Sequence, residues 1–182
     1  MTLTRSTFVL SLLLICPALA VAQSAPGCGP SNVTFDVSTT KSHRPSPTPQ
    51  SGKAIVYFLQ DDLKYNSYPR PTTRFGIDGS WVGATHANSY FFVYVDPGKH
   101  HLCANWQSDV TPFQFGIQKR STSATSFTAE AGKTYYFRAR DTVYTDAHGN
   151  FLSNPYVQLS RVNSDEAQAI LGSFSFASSH KD

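Results

Sequence analysis

From residue 51 onward the chain alternates short apolar segments with turn residues at roughly ten-residue intervals, the pattern of an all-β domain. Ala54-Ile55-Val56-Tyr57-Phe58-Leu59 is apolar on both alternating faces and predicts a strand covered on both sides. Arg74–Ile77 and Trp81–Gly83 predict a hairpin around Asp78-Gly79, a pair suited to a primed turn. Tyr90–Val95 predicts the next strand, Asp96-Pro97-Gly98 its turn and Lys99–Trp106 the return. Phe113–Ile117, Ser126–Ala129, Thr134–Ala139 and Tyr156–Val162 follow as strands. One helix is expected, capped by Asn163 or Ser164, with Asp165 and Glu166 in its first turn and Gly172 at its end. Ser173–Phe176 alternates and reads as a terminal strand or a loose tail. About eight strands with one short C-terminal helix predict an immunoglobulin-like β-sandwich.

The first fifty residues follow other patterns. One cation, Arg5, precedes an apolar run from Phe8 to Ala22, and Ala20-Val21-Ala22 places small residues at a cleavage point. This predicts a secretory signal peptide over 1–22, too short and too interrupted by Pro17 for a stable membrane span. Residues 23–50 read as an N-terminal arm and Pro-rich spacer, with an edge strand near Val33–Val37 and a polyproline-like stretch over 42–50. The folded domain is then 51–182.

Composition sharpens this picture. Charged residues are 15% of the chain, below the ~25% of typical domains, and aromatic residues reach 13%. Cleavage after Ala22 leaves 160 residues with 14 basic and 12 acidic side chains, scattered rather than clustered, so a nucleic-acid partner is not expected. Cys16 would leave with the signal peptide. Cys28 and Cys103 remain and predict one disulfide in an oxidising compartment. Such a bridge contributes ~4 kcal/mol for a loop of this size on the chain-entropy model. On this reading it alone holds the arm, and reduction frees residues 23–50. Membrane attachment is expected only through a lipidated cysteine, and the residues before Cys16 and Cys28 do not suit lipidation.

Ser51-Gly52-Lys53-Ala54-Ile55-Val56-Tyr57, Val95-Asp96-Pro97-Gly98-Lys99-His100-His101-Leu102 and Ala131-Gly132-Lys133-Thr134-Tyr135-Tyr136-Phe137-Arg138 together resemble the bacterial envelope family called domain of unknown function 2846. The segment from Ile77-Asp78-Gly79 to Pro97-Gly98-Lys99-His100 is also similar to the short β-sandwich modules called PEGA. The resemblance implies an exported protein, often a lipoprotein, and carries no catalytic residues to this chain.

Side chains capable of chemistry are few. In His100-His101-Leu102-Cys103, strand alternation puts only His101 and Cys103 on one face, too few ligands for a metal. Gly79-Ser80-Trp81-Val82-Gly83 has its serine directly after glycine and is not a nucleophile elbow. No cofactor, metal or catalytic residue is expected. If Phe91, Val93 and Val95 face the core, then Tyr90, Phe92 and Tyr94 line the opposite face. With Tyr65, Tyr68 and Trp81 they form the candidate contact surface, unless the arm, the helix or Phe174 and Phe176 cover it. The expected function is that of an exported, non-catalytic envelope domain, periplasmic or extracellular, binding or supporting another envelope component, an envelope protein or cell-wall glycan. The alternative is a carbohydrate-binding module that stacks cell-wall glycan on these aromatics.

Overall fold

A computed structural model describes residues 27–61, 71–107, 121–142, 148 and 156–182. The expected signal peptide with Cys16, the loop carrying Tyr65 and Tyr68, and the Phe113–Ile117 strand lie outside the described residues.

Ten strands and one helix are present among the described residues. They are β1 (Phe35–Thr40), β2 (Ala54–Asp61), β3 (Thr73–Ile77), β4 (Ser80–Thr85), β5 (Ser89–Val95), β6 (Gly98–Trp106), β7 (Thr122–Ala129), β8 (Thr134–Thr142), β9 (Tyr156–Val162), α1 (Ser164–Ser173) and β10 (Ser175–Lys181). They form a six-stranded sheet, β1-β10-β5-β2-β8-β9, and a four-stranded sheet, β4-β3-β6-β7. The larger sheet is mixed: β2 runs parallel to β8, and β10 pairs briefly in parallel with β5.

The core lies between the sheets. Val56, Phe58, Phe91 and Phe137 from the larger sheet meet Phe75, Leu102, Trp106 and Phe127 from the smaller one. Phe58 sits against Phe75 at 4.8 Å between ring centroids and against Phe91 at 5.3 Å, within the range of favourable aromatic pairs. The β3–β4 hairpin turns through Asp78 and Gly79, both at positive φ (50° and 81°), the primed geometry that matches strand twist. Val82 is the extra residue of a bulge in β4, where the register moves between Phe75 and Gly76.

The lateral edges of the sheets are bridged by serine hydroxyls. Val157 and Leu159 of β9 donate their backbone N–H groups to Ser121 Oγ (2.8 Å) and Ser123 Oγ (3.0 Å). On the other side Ala84 N of β4 donates to Ser179 Oγ of β10 (3.2 Å). Edge N–H groups that would otherwise invite another strand are thereby occupied.

Two expectations change. The sandwich has ten described strands rather than about eight. The difference comes from both ends of the chain, because Ser175–Lys181 is a true strand that pairs antiparallel with Phe35–Thr40 over six residues. The arm therefore supplies the edge strand of the larger sheet, two to three residues later than the sequence suggests. Gly172 also lies inside α1, which ends at Ser173; the Phe174 backbone N–H returns to Leu171 O.

Candidate functional site

The arm covers the outer faces of both sheets, and this decides which aromatics remain available. Cys28 and Cys103 are joined by a disulfide with a Cα separation of 5.4 Å, well within the usual range. Behind it the chain crosses β3 at Gly76. A Cβ there would stand 2.5 Å from the Cys28 carbonyl oxygen and 3.3 Å from Trp81 Cε3. Trp81 Nε1 donates to Pro30 O (2.8 Å). Arg74, 2% exposed, donates to the carbonyls of Ser31 and Val33 and to Asn105 Oδ1 (2.6 Å), with its guanidinium 4.3 Å from the Trp81 ring centroid. Gln107 then grips Phe35 with both ends of its amide, accepting from its N–H (2.8 Å) and donating to its carbonyl (3.0 Å). Phe35, Trp81, Ala84 and Cys103 form a small second core beneath the arm.

Trp81 is thus not part of a contact surface. It is 4% exposed because Gly29, Pro30 and Arg74 enclose it. Trp106 is likewise 1% exposed and donates to Asp141 Oδ1 (2.8 Å).

The other outer face is aromatic. β5 contributes Tyr90, Phe92 and Tyr94, with β2 adding Tyr57 and β8 Tyr136. Tyr57 stacks on Tyr136 at 5.1 Å and lies 5.5 Å from Phe92. Phe176 of β10 meets Tyr90 at 5.6 Å and Phe92 at 6.0 Å. Helix α1 packs at one end through Ala167, Ile170 and Leu171, in a cluster with Leu59, Tyr90, Tyr136, Val162 and Phe174. Tyr90 lies on the outward face as expected but is only 5% exposed, because Phe174, Phe176 and the helix cover it, and this removes it from the contact surface. Phe92, Tyr94 and Tyr57 remain half-buried. Burial, and then the neighbouring Tyr136, Tyr90 and Tyr94, push the Tyr57 hydroxyl up to about 12, so it stays protonated and can donate.

The Pro-rich spacer belongs to this face. Arg44 Nη1 donates to Leu171 O (3.3 Å) and Gly172 O (2.9 Å), capping the negative end of α1 with a cation. Four residues on, Thr48 O accepts a hydrogen bond from the Tyr94 hydroxyl (2.8 Å). Pro45 and Pro47 are half-buried, whereas Arg44, Ser46 and Thr48 are exposed.

Several other ionisable groups are paired within the fold. Asp61 pairs with Arg140 (3.0 Å) and lies 3.6 Å from Arg138, which itself pairs with Glu166 of α1 (2.6 Å). His100 Nδ1 meets Asp78 Oδ2 (2.7 Å) and its Nε2 meets Asp96 O (2.8 Å). Both partners are acceptors, an arrangement that favours the doubly protonated ring. Burial lowers its pKa, but the Asp96 carbonyl and the Asp78 carboxylate outweigh burial and hold it above the ordinary value. Burial likewise raises Asp78, and the His101 N–H and His100 ring outweigh it, so its pKa is lowered. Among the described residues no group of three or more His, Cys, Asp or Glu could hold a metal, and no helix is long and apolar enough to cross a membrane.

Sequence reasoning named Phe176 as cover for this face but missed Tyr57, Tyr136, Arg44 and Thr48 as parts of it. The signal for Tyr57 and Tyr136 was present, since each is the outward residue of a predicted strand. The contributions of Arg44 and Thr48 depend on a docked path that no periodicity encodes.

A scan against models of protein families matches residues 50–149, more than half of the chain, to a family described as a protein of unknown function, DUF2846. No curated protein and no solved structure matches it. The matched segment runs from the end of the spacer through β2 to β8, which holds most of the sandwich and the strands that carry the aromatic face. The chain belongs to the DUF2846 family.

Proposed function

We propose that this protein is an exported, non-catalytic module of the bacterial cell envelope that binds or supports another envelope protein through its aromatic face. The observation that carries the reading is the placement of the half-buried Tyr57, Phe92 and Tyr94 on the outer face of a rigid sheet. Half-exposed aromatics on rigid strands bury large area at small entropic cost when a partner docks. The paired ionisable side chains among the described residues, by contrast, are engaged in the fold: His100 with Asp78, and Asp61 with Arg138 and Arg140. The Cys28–Cys103 bridge and the signal-like start of the chain support export to an oxidising compartment. The glycan alternative loses two members of its stacking platform, because Tyr90 and Trp81 are buried.

The test is fractionation followed by in-cell photocrosslinking. The mature chain should begin after Ala22 and appear in the envelope or medium. A photoreactive residue at Phe92 should capture a discrete envelope protein, and one at exposed Thr128 on the other sheet should not. Turnover of a cell-wall substrate, or retention in the cytoplasm, would overturn the reading.

A further inference from the structure

The spacer and strand β5 are in step. Arg44 is bonded to the Leu171 and Gly172 carbonyls at the end of α1, where Leu171 packs in one cluster with Tyr90, and Thr48 is bonded to Tyr94. Tyr90 to Tyr94 spans about 13 Å of strand. Arg44 to Thr48 would span about 12 Å as polyproline II, the conformation the sequence predicts there. The matching spans between the two anchors run the segments alongside one another, and within the strap Pro45 and Pro47 are the half-buried residues while Arg44, Ser46 and Thr48 are exposed. Proline has no N–H to offer a sheet, and this segment is held by two features that also hold proline-rich ligands: a tyrosine hydroxyl donates to a carbonyl, and a flanking arginine is fixed by separate acceptors.

We propose that the aromatic face of Tyr57, Phe92 and Tyr94 is a recognition site for extended Arg-Pro-x-Pro peptides, filled in the free protein by its own residues 44–48. The strap makes few polar bonds and is tethered at both ends, by β1 and β2. It competes at the high effective concentration of a short linker, about millimolar, and a partner peptide must displace it. The inference rests on the binding role proposed above and names the chemistry of the partner, an extended proline-containing segment with an arginine preceding the first proline.

The probe is a fluorescent synthetic peptide, Ser-His-Arg-Pro-Ser-Pro-Thr-Pro-Gln, titrated into the full mature chain. An Arg44→Ala/Pro45→Gly/Pro47→Gly variant, with its strap loosened, should bind it at least tenfold more tightly than the native chain. Adding Tyr94→Phe to that variant should weaken binding about threefold to tenfold, the worth of one hydrogen bond. Adding Phe92→Ala should weaken it more. A second readout leaves the strap sequence untouched: in the native chain labelled with meta-fluorotyrosine, excess peptide should shift the Tyr94 fluorine resonance. Equal binding by the native and loosened chains, equal binding of a peptide with alanine in place of every proline, or an unmoved Tyr94 resonance would overturn the inference. Failure of the peptide while crosslinks from Phe92 persist removes this inference alone. Loss of those crosslinks with peptide binding intact removes the envelope-binding role and leaves the recognition site standing.

Discussion

Gly76 is where a single hydrogen atom in place of a methyl group lets the arm lie flat on β3. A Gly76→Ala change sets a methyl group against the Cys28 carbonyl, which is backbone and cannot swing aside. Overpacking of this kind costs about 1–3 kcal/mol. Urea denaturation should show that loss, and the variant should form the Cys28–Cys103 bridge more slowly than the native chain. His100 sets a second residue-scale expectation. Its pKa is raised on folding, so its stabilising effect is full below the ordinary value of 6.5 and disappears as pH rises through the raised one. Asp78 has a lowered pKa, so its share is full above the ordinary value of 3.8 and is lost as pH falls through the lowered one. The groups facing the ring are Asp78, the Asp96 carbonyl and Phe127, with Lys53 paired to the Asp96 carboxylate. Native stability measured between pH 6 and 9 should fall with rising pH, and His100→Gln should flatten that slope. A slope that survives the substitution would assign it to another group. The Asp78-Gly79 turn and an inward-leaning His100 were legible from the sequence, because turn dihedrals and strand alternation are local properties. The roles of Gly76 and Arg74 were not, because each exists only where a segment more than forty residues away in sequence crosses over it.

At the scale of elements, local periodicity found β2, β5, β6, β8, β9 and α1 close to their observed bounds. Tyr156–Val162 coincides with β9, and Asn163 caps α1 by accepting from the Glu166 N–H (2.8 Å). The aromatic face was only half legible. Alternation in β5 named Tyr90, Phe92 and Tyr94 as outward and the arm, the helix, Phe174 and Phe176 as their candidate cover, but which of these lies over which ring depends on sheet order. The weak alternation of Ser175–Lys181 becomes a strand because Phe35–Thr40 lies beside it. The serine bridges are likewise invisible in a linear pattern, and they make a direct prediction. Ser121→Ala with Ser123→Ala should leave two N–H groups of β9 without their bonds, at about 1–3 kcal/mol for each group that water cannot reach. Hydrogen exchange should accelerate at Val157 and Leu159 and leave β2 protected. Unchanged exchange at those two amides would show that the hydroxyls do not hold the edge.

Across the whole molecule the arm is integral to the sandwich, contrary to an arm fastened by the disulfide alone. Six residue pairs join β1 to β10, and Thr34 with Asp182 adds a hydroxyl–carboxylate bond (3.1 Å) and a backbone bond (3.1 Å). Arg74, Trp81 and Gln107 hold the chain between them. Reduction should therefore lower stability by at most ~4 kcal/mol without releasing the arm. A chain cleaved between His43 and Gln50 and then reduced should still elute as one complex, whereas a fragment that leaves on reduction would show that the sheet pairing is too weak to hold it. The same architecture sets an order of events for a chain that emerges N-terminus first into an oxidising compartment. Phe35–Thr40 is made early, yet its strand partner, Ser175–Lys181, is made more than 130 residues later. For most of that interval the early segment has no ladder to join. Cys103 emerges long before β10, so the covalent link can hold the nascent arm beside β3 and β6 while its final partner is still unmade. The bridge then acts as a placeholder in time as well as a fastener in space.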